Sequence, residues 1–599
     1  MQNNVKAVVA IMTTLLLVVG LFLGCSSTKV SSVDESMTLK VGYVSSKFPS
    51  VYMPWLSNQG ISPMISSMIY QTLFSYDSDT DTYLPSLGKH WEYVVEPTAV
   101  PEDQDYLEVK IELVENAKWS DGTPFTAEDV YFTFDLATDY GRTGHAGCLA
   151  WTGDLLHKYE KDDSGKYNLV RQGIFTKDHP GNYTFSEDES NVVYFHVRKV
   201  LGAVTPLFQT ILVIPKKEYK ILSPKNQLNT VDPPNSLKKL FVNPIGTGAF
   251  TLDKDRTNSS VIVMNTRDDY HLTKEDGSKL YNVESIKFIN YLEETVAINA
   301  LKKGDIDVIY GTISPTYADN LSKEKELAID YSTGQFMSTL CLNLNVPEEH
   351  STPQRELLKD PVLRQAISLA IDQDFLIERV LGGNGTKASG GLFPATASFT
   401  NTEIPYKHDM ELANKMLDEA GYTVSSDGKF REKDGVKLSY TILGNPGTRN
   451  TINYLKVLLE QIGIEVNFAE GGSNAVREYY YSGNFDMTIQ GISFSMTNVD
   501  LMAVAHFVRA GNSSNYGQMV DENFAEMVEK MRTTLDYDEK VALIKKMQED
   551  IHGFYYKIPL YCNDLISVYR TDRFTGFTSE PGSTIYNDET LQNLEKLSD

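Results

Sequence analysis

Cysteine is scarce in this chain. Four residues, Cys25, Cys148, Cys341 and Cys562, are spread over 599 positions with no CxxC pair among them. That spacing argues against a disulfide framework and a thiolate zinc site as the basis of the fold, and Cys148, Cys341 and Cys562 are expected to be free buried thiols, with one chance disulfide among them as the alternative. Basic residues are also in deficit. Lys and Arg number 55 against 80 Asp and Glu, a net charge of -25. A balance this acidic repels phosphates and argues against nucleic acid as a partner. The acids run along the whole chain, so the reading is a solvated acidic surface. After residue 24 no apolar run is long enough to span a bilayer. Catalytic signatures are missing too. There is no HExxH and no GxSxG, Gly246-x-Gly248 lacks the rest of a GxGxxG loop, and Lys387 sits in a Gly-rich stretch without P-loop order. Acidic pairs such as Glu293-Glu294 fall on helix surfaces and nominate no acid/base pair. His145 and Cys148 are two soft ligands, too few for a metal site. The chain is therefore expected to have no catalytic residues, no cofactor and no metal.

What is present begins with one apolar run, Ala7 to Leu23, preceded by the single charge of Lys6. It is shorter than the roughly 20 residues a span needs and reads as a secretory signal. Its end, Leu21-Phe22-Leu23-Gly24-Cys25, resembles a bacterial lipobox, with Phe22 where that pattern has Leu. The resemblance implies removal of residues 1–24 and a lipid on Cys25. An uncleaved N-terminal anchor is the alternative. Either way the remainder lies outside the cytoplasm, tied to the membrane. Residues 25–36 are polar and Ser-rich, a flexible tether.

The rest is too long for one core, so several lobes are expected. Alternation predicts strands over Thr38–Val44, Leu107–Leu113, Val192–Val197, Ile211–Ile214, Val261–Met264, Ile306–Ile309 and Ile464–Phe468. Helical periodicity with caps predicts helices over Ser62–Phe74 (Ser62 as N-cap), Thr126–Leu136, Glu294–Lys303, Pro361–Val380, Met410–Ala420, Thr451–Ile462, Phe524–Leu535 and Asp538–Gly553. Residues 158–189 read as loops or short hairpins. Strands alternating with helices make an α/β protein.

Trp119-Ser120-Asp121-Gly122-Thr123-Pro124-Phe125-Thr126-Ala127-Glu128-Asp129-Val130 closely resembles the signature of the oligopeptide-, dipeptide- and nickel-binding type of ABC-importer solute-binding protein, bacterial family 5. Its chemistry is local: a tight Asp-Gly and Thr-Pro turn, then a capped helix start. Further matches follow in the family's order, at Leu84–Leu87 with Trp91-Glu92, Asn243–Phe250, Asn265 with Asp269-Tyr270, Lys303–Asp307, Asp360–Ala366 with Ala370–Asp372, Leu417–Tyr422, Phe485-Asp486 and Ile558–Tyr561. The resemblance implies a type II clam-shell of the periplasmic-binding-protein kind, two large lobes plus a smaller third. Residues 37–75 with 241–335 and 564–599 would form lobe I, 76–240 the small lobe II and 336–563 lobe III. Hinge crossings are expected near Met337–Asn345 and Tyr561–Val568. The implied partners are a small-molecule or peptide ligand and ABC permease subunits, for a monomer.

In peptide-binding members a cleft strand reads Gly-x-x-x-Asp, the carboxylate receiving the ligand's ammonium. Here the stretch is Gly491-Ile492-Ser493-Phe494-Ser495, with Ser495 in the aspartate's place. A hydroxyl hydrogen-bonds but does not neutralise an ammonium; Asp500 stands several residues late. Gly491 and Ser493 are expected to offer backbone contacts, although Gly491 also suits a tight bend. Tyr52 and Trp55 after the first strand, Tyr561 on the hinge strand and Trp151 in the small lobe are candidate ligand-facing aromatics, with core packing as the plain alternative for each. Oligopeptides lead the ligand classes, followed by an oligosaccharide, which the serine replacement suits, and a nickel chelate. A secreted hydrolase and a surface receptor or adhesin without transport are the readings from other classes.

Overall fold

The computed structural model describes residues 35–598 apart from 47, 50–51, 55–59, 78–81, 102–105, 141–157, 162–166, 171–190, 200–207, 220–241, 394–399, 427, 494–498, 509–513, 518, 520, 535 and 581. The expected lipid site at Cys25, the signal and tether, Trp55, Trp151, His145, Cys148 and Ser495 lie outside the described residues.

An 11-stranded mixed sheet runs through the molecule. From one edge its strands are Glu465–Glu470, Ser439–Gly444, Met487–Ile492, Leu327–Leu342, Lys557–Arg570, Val308–Ile309, Thr38–Val44, Ser285–Tyr291, Val261–Thr266 and Phe250–Leu252, with Gly385–Thr386 added beside Lys557–Arg570. A separate antiparallel sheet joins Gly88–Tyr93, Tyr106–Leu113 and Val192–Arg198, and Lys158–Lys161 pairs with Tyr167–Val170 as a hairpin.

Apolar burial divides along the two central strands. One cluster gathers Leu39, Ile65, Trp119, Phe134, Phe195, Phe288 and Leu594, and a second Ala297, Leu301, Ile306, Ile566 and Val568. Two others draw only on residues between Met337 and Cys562. Leu327–Leu342 and Lys557–Arg570 carry the chain between these groups: Leu327 and Val568 belong to one side, Leu340 and Tyr561 to the other.

Local chemistry explains the family-like motifs as framework. Asp121 accepts from the Thr123 amide at 3.0 Å and its hydroxyl at 2.6 Å, closing the turn. Asp129 accepts from the Thr126 amide and hydroxyl, both at 3.0 Å, the Trp119 indole at 3.2 Å and the Lys216 amide at 2.9 Å. It thereby locks the start of helix Ala127–Tyr140 to two other segments. Gly246 and Gly248 are a packing feature: a Cβ would fall 1.8 Å from the Ile69 carbonyl oxygen and 2.3 Å from that of Met68. Cys341 and Cys562 are free and buried, as expected.

Several sequence expectations are corrected. The first helix covers Ser62–Ile69, with Ile61 rather than Ser62 as N-cap. It stops because Tyr70 turns extended to bury its ring, its hydroxyl 3.2 Å from that of Tyr219, and Phe74–Asp77 then forms a strand. Pro361–Val380 is two helices, Pro361–Ala370 and Gln373–Leu381, because the Asp372 carboxylate caps the second by accepting from the Phe375 amide. Ile211–Ile214 is buried but is not a strand. The Val213 amide bonds the Gln71 carbonyl and the Ile214 amide the Thr133 hydroxyl, in place of a ladder.

Candidate functional site

The place where the two central strands change clusters is also where their pairing breaks. Leu327–Thr333 pairs with Asp564–Arg570 in unbroken register; the next pair is Met337 with Cys562. Three residues, Gly334, Gln335 and Phe336, thus oppose Asn563 alone, an enlarged bulge of the kind that re-aims side chains. Gly334 permits it, since a Cβ would lie 1.9 Å from the Asn563 carbonyl oxygen. Beyond the bulge, Ser338 pairs with Gly491 on one side and Tyr561 on the other.

Phe336 is 58 % exposed, and its ring lies on Gly491, where a Cβ would come within 1.8 Å of Cζ. Tyr331, before the bulge, is 52 % exposed. Gln335 reaches the other way, onto Gly582. The segment carrying Gly582 is tied to the strand by its amide to the Thr333 carbonyl and by Ser332 Oγ to the Glu580 carbonyl, 2.9 Å. Asp330 Oδ2 and Asp564 Oδ1 are buried without a protein hydrogen-bond partner, and burial raises the pKa of the Asp564 carboxyl. Orphaned acceptors in a partly open site suit water or a ligand donor.

The sequence-nominated residues separate on this map. Gly491 lies at the bulge, two residues before the half-buried Ser493. Tyr561 is there by backbone register, but its side chain is 4 % exposed and its hydroxyl lies 2.7 Å from that of Thr451, so the ring packs in a core cluster. Burial also raises its pKa. Tyr52 is likewise a core residue, its hydroxyl 3.3 Å from the Pro49 carbonyl and its pKa pushed by burial up to about 12. The backbone of Asp500 falls in helix Val499–Ala503. Gly334, Gln335, Phe336 and Asp564 were missed. The available signal was a glycine inside a β-branched and aromatic run, which marks a bulge or a close backbone approach.

A cavity of about 120 Å³ lies elsewhere, in the first apolar cluster, lined by Met68, Gln71, Phe250, Tyr270, Tyr281 and Asp588 among others. That is well below the roughly 300–1,000 Å³ of ligand clefts, so it is not taken as the solute site. Among the described residues no group of three or more His, Cys, Asp or Glu is placed to hold a metal ion, and no helix is long and apolar enough to cross a membrane.

Comparison with known proteins agrees in extent and in fold. The model for the middle part of bacterial extracellular solute-binding proteins, family 5, matches residues 84–514. The chain is 25 % identical over 522 residues to the oligopeptide-binding protein AppA of Bacillus subtilis, covering 84 % of both. It is 24 % identical over 473 residues to the nickel-binding periplasmic protein of Escherichia coli, covering 78 % of this chain and 77 % of that one. Among solved structures, the periplasmic oligopeptide-binding protein of an ABC transporter from Thermotoga maritima superposes with a TM-score of 0.73 at 19 % identity, over 94 % of this chain and 100 % of that one. The fold is α/β, of the type II periplasmic-binding kind.

Proposed function

The chain belongs to the bacterial extracellular solute-binding proteins of family 5, the substrate-binding components of ABC importers, and from that premise we propose that it captures an oligopeptide or related solute between hinged lobes. Lobe I comprises 37–75, 241–335 and 564–599, the small lobe 76–240, and lobe III 336–563. The protein is a monomer held to the membrane by lipid on Cys25. It hands its solute, chemically unchanged, to permease subunits.

The observation that carries this reading is the strand pair Leu327–Leu342 and Lys557–Arg570. It links apolar clusters of different chain segments, is interrupted by a three-residue bulge, and shows an exposed aromatic there. Closure about such a crossing shifts an open–closed equilibrium toward the liganded state. Ser495 in place of a carboxylate, with Phe336 beside Gly491, favours a second reading, a neutral oligosaccharide.

A thermal-shift panel of oligopeptides, maltotriose and nickel–histidine tests both. A bound solute at 100 times its Kd stabilises by about 2.7 kcal/mol. Stabilisation by sugars alone overturns the peptide reading. Turnover of any stabilising compound overturns both in favour of a hydrolase. Loss of membrane fractionation in a Cys25→Ser variant tests the anchor.

A further inference from the structure

Resting on the solute-binding reading, we infer that Phe336 sets specificity: its ring is a platform for a flat apolar group of the solute, an aromatic side chain or the C–H face of a sugar. Three observations converge on it. Gly334 has no room for a Cβ against the Asn563 carbonyl oxygen, 1.9 Å away, so the bulge that turns the chain here depends on that glycine. A Cβ at Gly491 would fall 1.8 Å from the tip of the Phe336 ring, so the ring covers this glycine on the strand Met487–Ile492 and keeps that position only while no side chain stands there. Yet the seated side chain remains 58 % exposed. One glycine shapes the bulge, the other leaves bare strand backbone beneath an apolar ring, and the outer face of that ring gains nothing from the unliganded fold.

The neighbours fit a solute and not a core. Ser338, half-buried, pairs across to Gly491, and Ser493 follows it. Gln335, adjacent in the same bulge, rests on Gly582. The bulge therefore touches the C-terminal segment with one side chain and the strand Met487–Ile492 with the next, and a solute on Phe336 lies on the second of these faces, over Gly491. With the ring over Gly491, the adjacent backbone is met through an aromatic face, so selection rests on stacking and apolar area. Aromatic contacts of this kind change affinity by up to about tenfold beyond area burial.

The test measures Kd by calorimetry on the full chain. The probes are tetraalanine, its four single-phenylalanine variants and maltotriose, against wild type, Phe336→Ala and Phe336→Trp. Wild type is expected to prefer either a phenylalanine-bearing peptide or maltotriose over tetraalanine by about five- to tenfold. Which of the two it prefers identifies the source of the flat face. Phe336→Ala, with an unchanged unliganded Tm, is expected to bring the preference within twofold, and Phe336→Trp to restore it. A preference that survives in Phe336→Ala, or a wild type without one, overturns the inference and leaves the solute-binding reading standing. A wild type that binds none of the peptides or the sugar overturns both.

Discussion

The two ends of the strand Lys557–Arg570 each bury a cation, and they do so by opposite means. At one end Arg570 is 5 % exposed. It donates to Asp572 at 2.8 and 2.6 Å, to Glu326 at 2.9 Å and to the Leu301 and Lys302 carbonyls at 2.8 and 3.3 Å. Five hydrogen bonds and two carboxylates keep the guanidinium charged. At the other end Lys557 is 2 % exposed and, among the described residues, pairs with no carboxylate. Its Nζ lies 2.8 Å from His506 Nδ1 and 3.0 Å from the Ser514 carbonyl. Two acceptors match the two N–H donors of a neutral amine. Burial lowers the Lys557 pKa to about 7, and burial followed by the neighbouring lysine holds His506 well below the usual imidazole range. Cys341 does not supply the missing anion, because burial raises its thiol pKa. One end of the strand compensates a charge; the other tends to discard it.

The largest effect sharpens the contrast by removing what separates the two ends. Gly334→Val drives a side chain into the Asn563 carbonyl and is expected to cost about 3 kcal/mol in urea unfolding. A cost under about 1 kcal/mol would mean that the bulge relaxes freely. Next, Arg570→Met strips hydrogen bonds from two carbonyls and two partly exposed carboxylates, at about 2 kcal/mol. Lys557→Met is expected to change stability by within about 1 kcal/mol at neutral pH, since it removes the desolvation cost of the buried amine together with the two hydrogen bonds that offset it. If both substitutions cost the same, the comparison fails.

The same lysine gives a pH signature. A base whose folded pKa is depressed takes up its proton in the unfolded chain first. Its contribution to stability therefore rises with pH between about 7, the folded value, and roughly 10.4, the unfolded one. Within that window wild type is expected to gain on Lys557→Met by about 1.4 kcal/mol per pH unit. Parallel stability curves for the two proteins would show that Lys557 stays charged in the fold.

What was legible in the sequence was local. The strand Thr38–Val44 and the helix Glu294–Lys303 match their periodicity residue for residue, and the Asp121 turn and the Asp129-capped helix start follow from hydrogen bonds within a few positions. Where a distant partner decides, the pattern misleads. Tyr70 leaves its helix for Tyr219, and Ile211–Ile214 satisfies its amides on Gln71 and Thr133. The site divides the same way. Gly491 was found through a motif, whereas Tyr561 was nominated for its place on the hinge strand, and its ring takes the core-packing alternative, beside Thr451. Phe336 escaped because its exposure depends on a bulge set by Asn563, more than 200 residues away.

The smallest effect concerns the outer rim of the compensated end. Glu326 is 63 % exposed at its side chain and shares the Arg570 guanidinium with Asp572. Glu326→Gln removes one solvent-screened partner and leaves the other, so a change of about 0.5 kcal/mol or less is expected, falling further as salt rises. A loss near that of Arg570→Met would place the compensation on Glu326. A small one assigns it to Asp572 and the two carbonyls, and with them the reason a guanidinium at this end stays charged where an amine at the other tends to give up its proton.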